Sequence, residues 1–425
     1  MFEIMDMSNV TKKTRNGLIA ALDIGTTKVS CFVARAHKGQ ELEIVGLSHQ
    51  IANGLRRGVI VDMEAAERSI RSAVHVAEEM ADDTIDRVIV SLSGGQPKAQ
   101  IKDVETNVHT AQVGNLDIQR LFTQARVQGQ LPQDHVLLHT MPTDFTVNGE
   151  AGIRDPRGMA GERLSARMNL ISANSSTVRN LKTCLERCHL DVEEEVISAY
   201  ASGLGCLVDD EMNLGVCVVD MGGGTTDIAV FIEGNLIHVD SIPVGGIQVT
   251  NDISRGLNTP VAHAERMKTK FGSCLPAPSD DHEILRVPVL GEEDEAEGTT
   301  ESRSTLVSII QPRLEETFEL VRERLENSGL DKVIGRQIVL TGGAAQLRGV
   351  PELASRILSK RIRIARPQRL KGLADATSGP EFSTCVGLLK HAHEKQGAWP
   401  SSSPQAGPAP NHLFGKLGVW FKQNF

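Results

Sequence analysis

Short apolar runs bounded by glycine recur along this chain, at Leu18 to Ile24, Lys28 to Ala34, Val88 to Leu92, Gly215 to Asp220, Asp227 to Ile232 and Gln337 to Leu340. Runs of this length predict buried β-strands. Between them the apolar positions fall three and four apart, which predicts helices over Met63 to Met80, Ser176 to Cys188, Ala262 to Lys270 and Leu306 to Asn327. Alternation of the two periods places the chain in the α/β class. Two stretches break the pattern. Ser279 to Arg303 reads as loosely structured, and the acidic run 291–298 within it reads as a solvated loop. Gln396 to Pro410 is rich in Pro, Ser, Gly and Ala and reads as a flexible linker.

One unit occurs twice. The first two strands flank Asp23-Ile-Gly-Thr-Thr-Lys28, and the fourth and fifth flank Asp220-Met-Gly-Gly-Gly-Thr-Thr-Asp227, about 200 residues later. An internal duplication explains the recurrence. In each copy a buried strand ends at a carboxylate and enters a tight turn: Gly25, Thr26 and Thr27 in one, Gly222, Gly223, Gly224, Thr225 and Thr226 in the other. Such a turn presents backbone N–H groups and hydroxyls in a concave array suited to phosphate oxygens. Lys28 adds a cationic contact. Asp23 and Asp220, each at a strand end, suit a hydrated Mg2+, which keeps several waters and takes only one or two protein carboxylates. A dinucleotide-binding loop is disfavoured because these glycines lead into strands instead of opening a helix. The remaining structural alternative is a pair of plain hairpin turns.

Two further elements complete an expected nucleotide site. Ile338 to Ala345 is a strand running into the turn Gly342-Gly343-Ala344, suited to lie flat against an adenosine. Glu265 and Lys268 share a helical face at i, i+3, where they would reach ribose and base; alone, they would read as a surface ion pair.

Composition narrows the partners. The chain has 425 residues, enough for two or three domains or one large two-lobed body. Hydrophobic residues at 40% and charged residues at 23% match a folded, soluble protein. The net charge of -9 argues against nucleic acid, whose binders carry a basic face. The seven cysteines show no CxxC pair and no zinc spacing, so they read as reduced core thiols, Cys184 and Cys188 included. The N-terminus has no apolar segment of a secretory signal, and no run approaches the ~18 apolar residues of a membrane span.

The order of these elements resembles the superfamily of actin, heat-shock chaperones and sugar kinases, from about Leu18 to Lys390. Val196 to Gly203 matches the helix that connects the two lobes there. Glu194 stands where actins carry a water-orienting glutamine, and as a base it is the tentative catalytic residue together with Asp220. Within that superfamily the chain is similar to the FtsA family of actin-like bacterial cell-division proteins. The stretches that carry this likeness are Gly54 to Gly58, Asp155 to Gly161, Glu186 to Leu190, Leu214 to Val230, Ile338 to Ala345 and the C-terminal segment.

The resemblance implies a duplicated actin-like ATPase fold, with two lobes around a cleft that binds ATP and Mg2+ and at most slow ATPase activity. The first lobe spans 1–92, 174–208 and 383–395, and an inserted α/β subdomain occupies 93–173. That insert would contain a helix near Leu116 to Val127 and short strands around Val136 to Leu138 and Leu164 to Leu170. The family uses it to contact the next protomer of a filament and later division proteins. The second lobe spans 209–382. Its part at about 250–326 would hold the C-terminal peptide of the tubulin-like division protein FtsZ, with Arg303 and Arg313 as candidate contacts. The linker spans 396–411.

From 412 to 425 the chain changes character. If helical, Leu413, Leu417, Trp420, Phe421 and Asn424 share one side, apolar apart from its C-terminal edge, with Phe414 and Phe425 at its edges and Lys416, Lys422 and Gln423 elsewhere. The chain has only 11 Phe, 2 Trp and 1 Tyr, yet four of these aromatics fall in this last stretch. Aromatic and leucine residues on one face with lysines beside them suit a helix lying in a membrane surface. Gly415 and Gly418 weaken it by roughly 1 kcal/mol each, so it would fold on contact with lipid. Several tails gathered by self-assembly would then bind through avidity. The expected location is the cytoplasmic face of the inner membrane at the division site. The rival reading is a small-molecule, sugar-type kinase, which uses the same loops but has no use for the tail. A chaperone would need a peptide-binding domain for which only about 35 residues follow Lys390.

Overall fold

The structure is a computed structural model that describes residues 17–36, 41–291 and 298–394. The expected linker and C-terminal helix lie outside the described residues. Two five-stranded sheets form the frame. In the first, β1 (Leu18–Ile24), β2 (Lys28–Arg35) and β3 (Glu43–Ile51) form an antiparallel meander, and β6 (Arg87–Leu92) and β11 (Asp191–Ile197) extend it in parallel beyond β1. A small ribbon, β4 (Leu55–Arg56) and β5 (Val59–Ile60), follows β3.

In the second sheet, β12 (Val216–Met221), β13 (Thr226–Ile232) and β14 (Asn235–Ile242) form the meander, with β17 (Gln337–Thr341) and β18 (Arg361–Ile364) added in parallel beyond β12. Strand order and direction are the same in both sheets. The duplication legible at the loops therefore extends to the whole topology.

Helices cover the sheets where the sequence has an apolar stripe. In α1 (Met63–Ala81), Asp62 caps the first turn by accepting from the Ala65 N–H, and the small face Ala66, Ile70, Ala73 and Ala77 is buried. It packs so closely on β3 that a Cβ at Gly46 would overlap the Ala77 carbonyl. α3 (Ser175–Arg187) lies beside α1. On the second lobe α5 (Asp209–Leu214), α6 (Gly246–Gly256), α7 (Val261–Phe271), α8 (Arg303–Asn327) and α9 (Val350–Leu358) follow. Phe318, Leu314 and Ile310 of α8 are buried against Ile253 of α6 and Leu353 of α9 in one cluster.

Between β6 and α3 the chain departs into a separate small sheet, ordered β7 (Lys98–Asn107), β10 (Arg163–Asn174), β8 (His135–Val147), β9 (Glu150–Ile153), with α2 (Asn115–Gln128) packed on it. Phe122, Phe145, Leu164 and Met168 give it a core of its own. The strands here run longer than the apolar patches predict, because much of each is solvated on one side. Asn235 donates to the Thr143 carbonyl and Asn169 to that of Leu236, at 3.0 and 2.7 Å, tying this sheet to β14.

The acidic run expected as a loop lies mostly outside the described residues, and two short strands flank it. β15 (Ile284–Val287) pairs with β16 (Thr299–Ser302), and Arg303 opens α8. Leu285 and Val287 alternate inward, a two-residue period too short to stand out beside the acidic run.

The chain enters the second lobe through α4 (Ser198–Cys206) and returns through α10 (Ser383–Glu394), and these two helices cross at glycine. A Cβ at Gly387 would overlap the Ala201 carbonyl oxygen, and one at Gly205 would overlap that of Ser383. Gly387→Ala is expected to destabilise the fold by about 3 kcal/mol through overpacking. Urea denaturation with an unchanged midpoint would refute the close crossing.

Candidate functional site

The two duplicated hairpins meet tip to tip. In each, the N–H of the first glycine donates to the carbonyl three residues on, Gly25 to Lys28 at 3.0 Å and Gly222 to Thr225 at 2.9 Å. The register pairs Ile24 with Val29 and Met221 with Thr226, so loop 25–28 is equivalent to loop 222–225. Thr26-Thr27 is therefore matched by Gly223-Gly224, and Lys28 by Thr225, an offset from the pairing of threonines that the motif suggests. The reason is steric. A Cβ at Gly224 would overlap Thr26, and one at Gly223 would overlap Thr27, so one loop carries side chains where the other must carry none.

A cavity of about 600 Å³ lies at this junction, within the range of small-molecule sites. Asp23, Gly25, Thr26, Thr27 and Lys28 line it from one lobe; Asp220, Gly222, Gly223, Gly224, Thr225, Glu265, Lys268, Gly342, Gly343 and Ala344 line it from the other. Residues expected at the site from four separate stretches thus share one space. Gly342 has φ +86°, and a Cβ there would overlap Asp220 Oδ1, so only glycine lets β17 turn at this carboxylate. Lys268 Nζ donates to Glu265 at 2.7 Å, to the Thr250 hydroxyl at 2.9 Å and to the Gly246 carbonyl at 3.1 Å, which fixes the pair at the α6–α7 wall.

Two residues expected at the cavity lie outside its lining, and two expected peptide contacts are already paired. Thr226 begins β13 and donates to the Val244 carbonyl at 2.8 Å, outside the cavity lining. Glu194 does not reach the cavity either. A register shift in β11 turns it into a buried cluster, 3.2 Å from His391 Nε2 and 3.7 Å from His139 Nδ1. Its carboxylate joins the insert to α10, a role that no spacing in the sequence foretells. Arg303 is not a free contact: its partly buried guanidinium pairs with Asp280 at 3.0 Å and Glu283 at 3.2 Å, and donates to the Phe271 carbonyl at 2.8 Å. Arg313 is engaged by Asp252 at 2.6 Å and by Glu316, and the Asp252 hydrogen bond holds its charge more firmly than usual.

The structure also adds residues that the sequence reading missed. Ser202 of α4 and Thr384 of α10 both donate to Asp220 Oδ2, the latter at 3.4 Å, and the two hydroxyls lie 2.9 Å apart. Asp227, opposite Asp220 in the hairpin, lines the cavity and accepts from Ser241 and Thr225. It stood within the motif as quoted but carried no turn or glycine signal.

The electrostatics are those of a site held against its own stability. Burial pushes the Asp220 carboxyl up to about 6, and the charge of Asp23 adds to this against the hydrogen bonds of Ser202 and Thr384. Burial also raises Asp23, which accepts from Ser91 Oγ at 2.7 Å, and raises Asp227 well above the usual range. Lys28 is pushed down by burial; its Nζ is buried without a hydrogen-bond acceptor and sits 3.5 Å from the centroid of the Phe382 ring. A buried ammonium lacking an acceptor fits an incoming phosphate oxygen. Of the three raised carboxylates lining this cavity, Asp23 and Asp220 at the strand ends fit a hydrated divalent cation. Among the described residues no group of three or more His, Cys, Asp or Glu is placed to hold a metal directly.

Two sheets of one topology around such a cavity define the class: a two-lobed protein of the actin-like ATPase fold. Solved structures agree. The chain aligns with the structure described as the PilM-PilN type IV pilus biogenesis complex at TM-score 0.62 and 17% identity, covering 88% of this chain and 98% of that one. It aligns with MreB5 of Spiroplasma citri bound to ADP at TM-score 0.54 and 16% identity, covering 90% and 97%. Among sequences, "Cell division protein FtsA" of Rhizobium meliloti (strain 1021) is 41% identical over 97% of this chain and 96% of its own. That of Escherichia coli (strain K12) is 33% identical over 90% and 92%. The family described as "Cell division protein FtsA" matches residues 217–387, and "SHS2 domain inserted in FTSA" matches 94–172. The chain belongs to the FtsA family of cell-division proteins.

Asp220 gives a pH test. Its folded pKa lies above the ordinary 3.8, so ionisation costs stability as pH rises through about 4 to 6 and the full cost is present above that. Asp220→Asn keeps an acceptor for Ser202 and Thr384. Without ligand it should be more stable than the parent at pH 7.5, by on the order of 2 kcal/mol, and the gain should vanish toward pH 4. Thermal melts showing a pH-independent difference would contradict this.

Proposed function

We propose that this division protein is a nucleotide-responsive, self-assembling membrane adaptor. The observation that carries the nucleotide reading is the shared cavity: two equivalent loops meet there, and the buried Lys28 ammonium has no acceptor. Gly25, Thr26, Thr27 and Lys28 bind the phosphates from one lobe, and Gly222, Gly223, Gly224 and Thr225 from the other. Glu265 and Lys268 face the ribose and base, and Gly342, Gly343 and Ala344 lie against the adenosine. Asp23 and Asp220 hold Mg2+ through water, which when bound offsets the charge of the phosphates. The similar fold of Spiroplasma citri MreB5, described as bound to ADP and to AMPPNP, supports the reading by analogy.

ATP spans both lobes, so its binding sets their closure, and closure sets self-assembly. Among the described residues no helix is long and apolar enough to cross a membrane. The aromatic and leucine composition of the last stretch supports membrane contact through Leu413, Phe414, Lys416, Leu417, Trp420, Phe421 and Lys422, gathered by assembly on the cytoplasmic face of the inner membrane. The second lobe, at about 250–326, takes the C-terminal peptide of FtsZ, and the inserted subdomain serves the next protomer and later division proteins. Hydrolysis is slow at most, since Glu194 is directed into the His139–His391 cluster.

Two experiments test this. In calorimetry, Asp220→Ala should bind Mg-ATP at least about tenfold more weakly than the parent, as loss of a charged contact implies; parental affinity would refute the assigned role. Deleting Leu413 to Phe425, or Trp420→Glu, should release the protein from anionic liposomes in sedimentation. Equal pelleting of parent and variants would sink the anchor.

A further inference from the structure

A second cavity, of about 450 Å³, borders the same two loop tips and shares Thr26 and Gly224 with the first. Its walls come from both lobes: the β4–β5 ribbon on one side, α6 and α8 on the other. Four arginines line it, Arg56, Arg57, Arg255 and Arg313, against two carboxylates, Asp252 and Glu316. Both carboxylates are taken by Arg313. The side chains of the exposed Arg56, Arg57 and Arg255 make no hydrogen bond or ion pair among the described residues, so three uncompensated guanidinium groups border one concavity.

The ribbon that presents two of them is held in place. Its two-residue turn is Arg57-Gly58, with φ of +52° and +72°, the pairing of signs that a type I′ hairpin requires. A non-glycine residue adopts that conformation only where its surroundings impose it. Here the Gly58 N–H donates to Thr26 Oγ1 at 3.0 Å, and a Cβ at Gly58 would overlap Gly94. The arginine pair is thus hydrogen-bonded through its turn to the phosphate loop itself.

We propose that this cavity is a binding site for inorganic phosphate, held by Arg56 and Arg57 from one lobe and by Arg255 from the other. Guanidinium forks match the oxygens of a tetrahedral oxyanion, and this cluster has a net positive charge with no acidic side chain left to neutralise it. Because the arginines belong to opposite lobes, a bound phosphate favours their closed arrangement. Any nucleotide that also favours closure then binds more tightly with phosphate present, and phosphate more tightly with nucleotide, by the same factor.

The test is calorimetric titration of inorganic phosphate into the full chain, without nucleotide and with saturating ADP. One phosphate site is expected in both cases, severalfold tighter with ADP. Arg255→Ala should weaken phosphate about tenfold and remove the enhancement, with Arg255→Lys restoring part of it, while ADP binding in the absence of phosphate stays unchanged. Arg57→Gly, which keeps the positive-φ turn, should give the same loss from the opposite wall. Phosphate that binds the Arg255→Ala and Arg57→Gly chains as well as the parent occupies the first cavity, and the proposal fails. Absence of saturable binding also overturns it, as does Arg255-dependent binding of a glutamate-rich peptide where phosphate does not bind. If ADP does not bind but phosphate binds through Arg255, the nucleotide reading falls and this site stands.

Discussion

The structure turns on one carboxylate oxygen. Asp220 Oδ2 accepts from Ser202 on the helix that enters the second lobe and from Thr384 on the helix that returns to the first. Those helices approach closely enough to bring both hydroxyls to one atom because Gly205 and Gly387 present no Cβ at their crossing. The carboxylate is therefore bonded to the joint between the lobes while it lines the cavity that the lobes share.

The second constraint is electrostatic. Three buried carboxylates, Asp23, Asp220 and Asp227, are all raised, and the Lys28 ammonium beside them is lowered by burial. Nothing in the fold of the sheets requires that concentration of charge; apolar residues would serve β1 and β12 better. Perturbed groups gathered in one cleft mark functional sites in general. Here they divide into hydrogen-bond acceptors already engaged by serine and threonine, and an ammonium left without an acceptor.

The inserted sheet adds a third. Its own core makes it a separable body, yet His139 reaches the first lobe at Glu194 and Asn169 reaches the second at Leu236. The insert therefore touches both lobes. The second lobe shows the opposite economy at Arg303 and Arg313, where guanidinium groups that seem available in sequence are consumed in stabilising α8 against Asp280 and Asp252.

The sequence by itself determined the class of fold, the duplication, the two glycine loops that carry it, and six of the ten strands of the two sheets, β1, β2, β6, β12, β13 and β17. These rest on local signals: short apolar runs, helical spacing, and glycines after a carboxylate at a strand end. It also singled out the aromatic stretch from Leu413 to Phe425, whose composition differs from that of the rest of the chain. Tertiary structure alone decided what each side chain faces. A register shift in β11 sent Glu194 away from the cavity, the start of β13 took Thr226 with it, and long-range partners engaged Arg303. The same distance effects brought Ser202, Asp220 and Thr384 to one point and set Arg56 and Arg57 opposite Arg255, across separations that no periodicity records. Secondary structure is written in neighbours along the chain, whereas a site is written in neighbours across it.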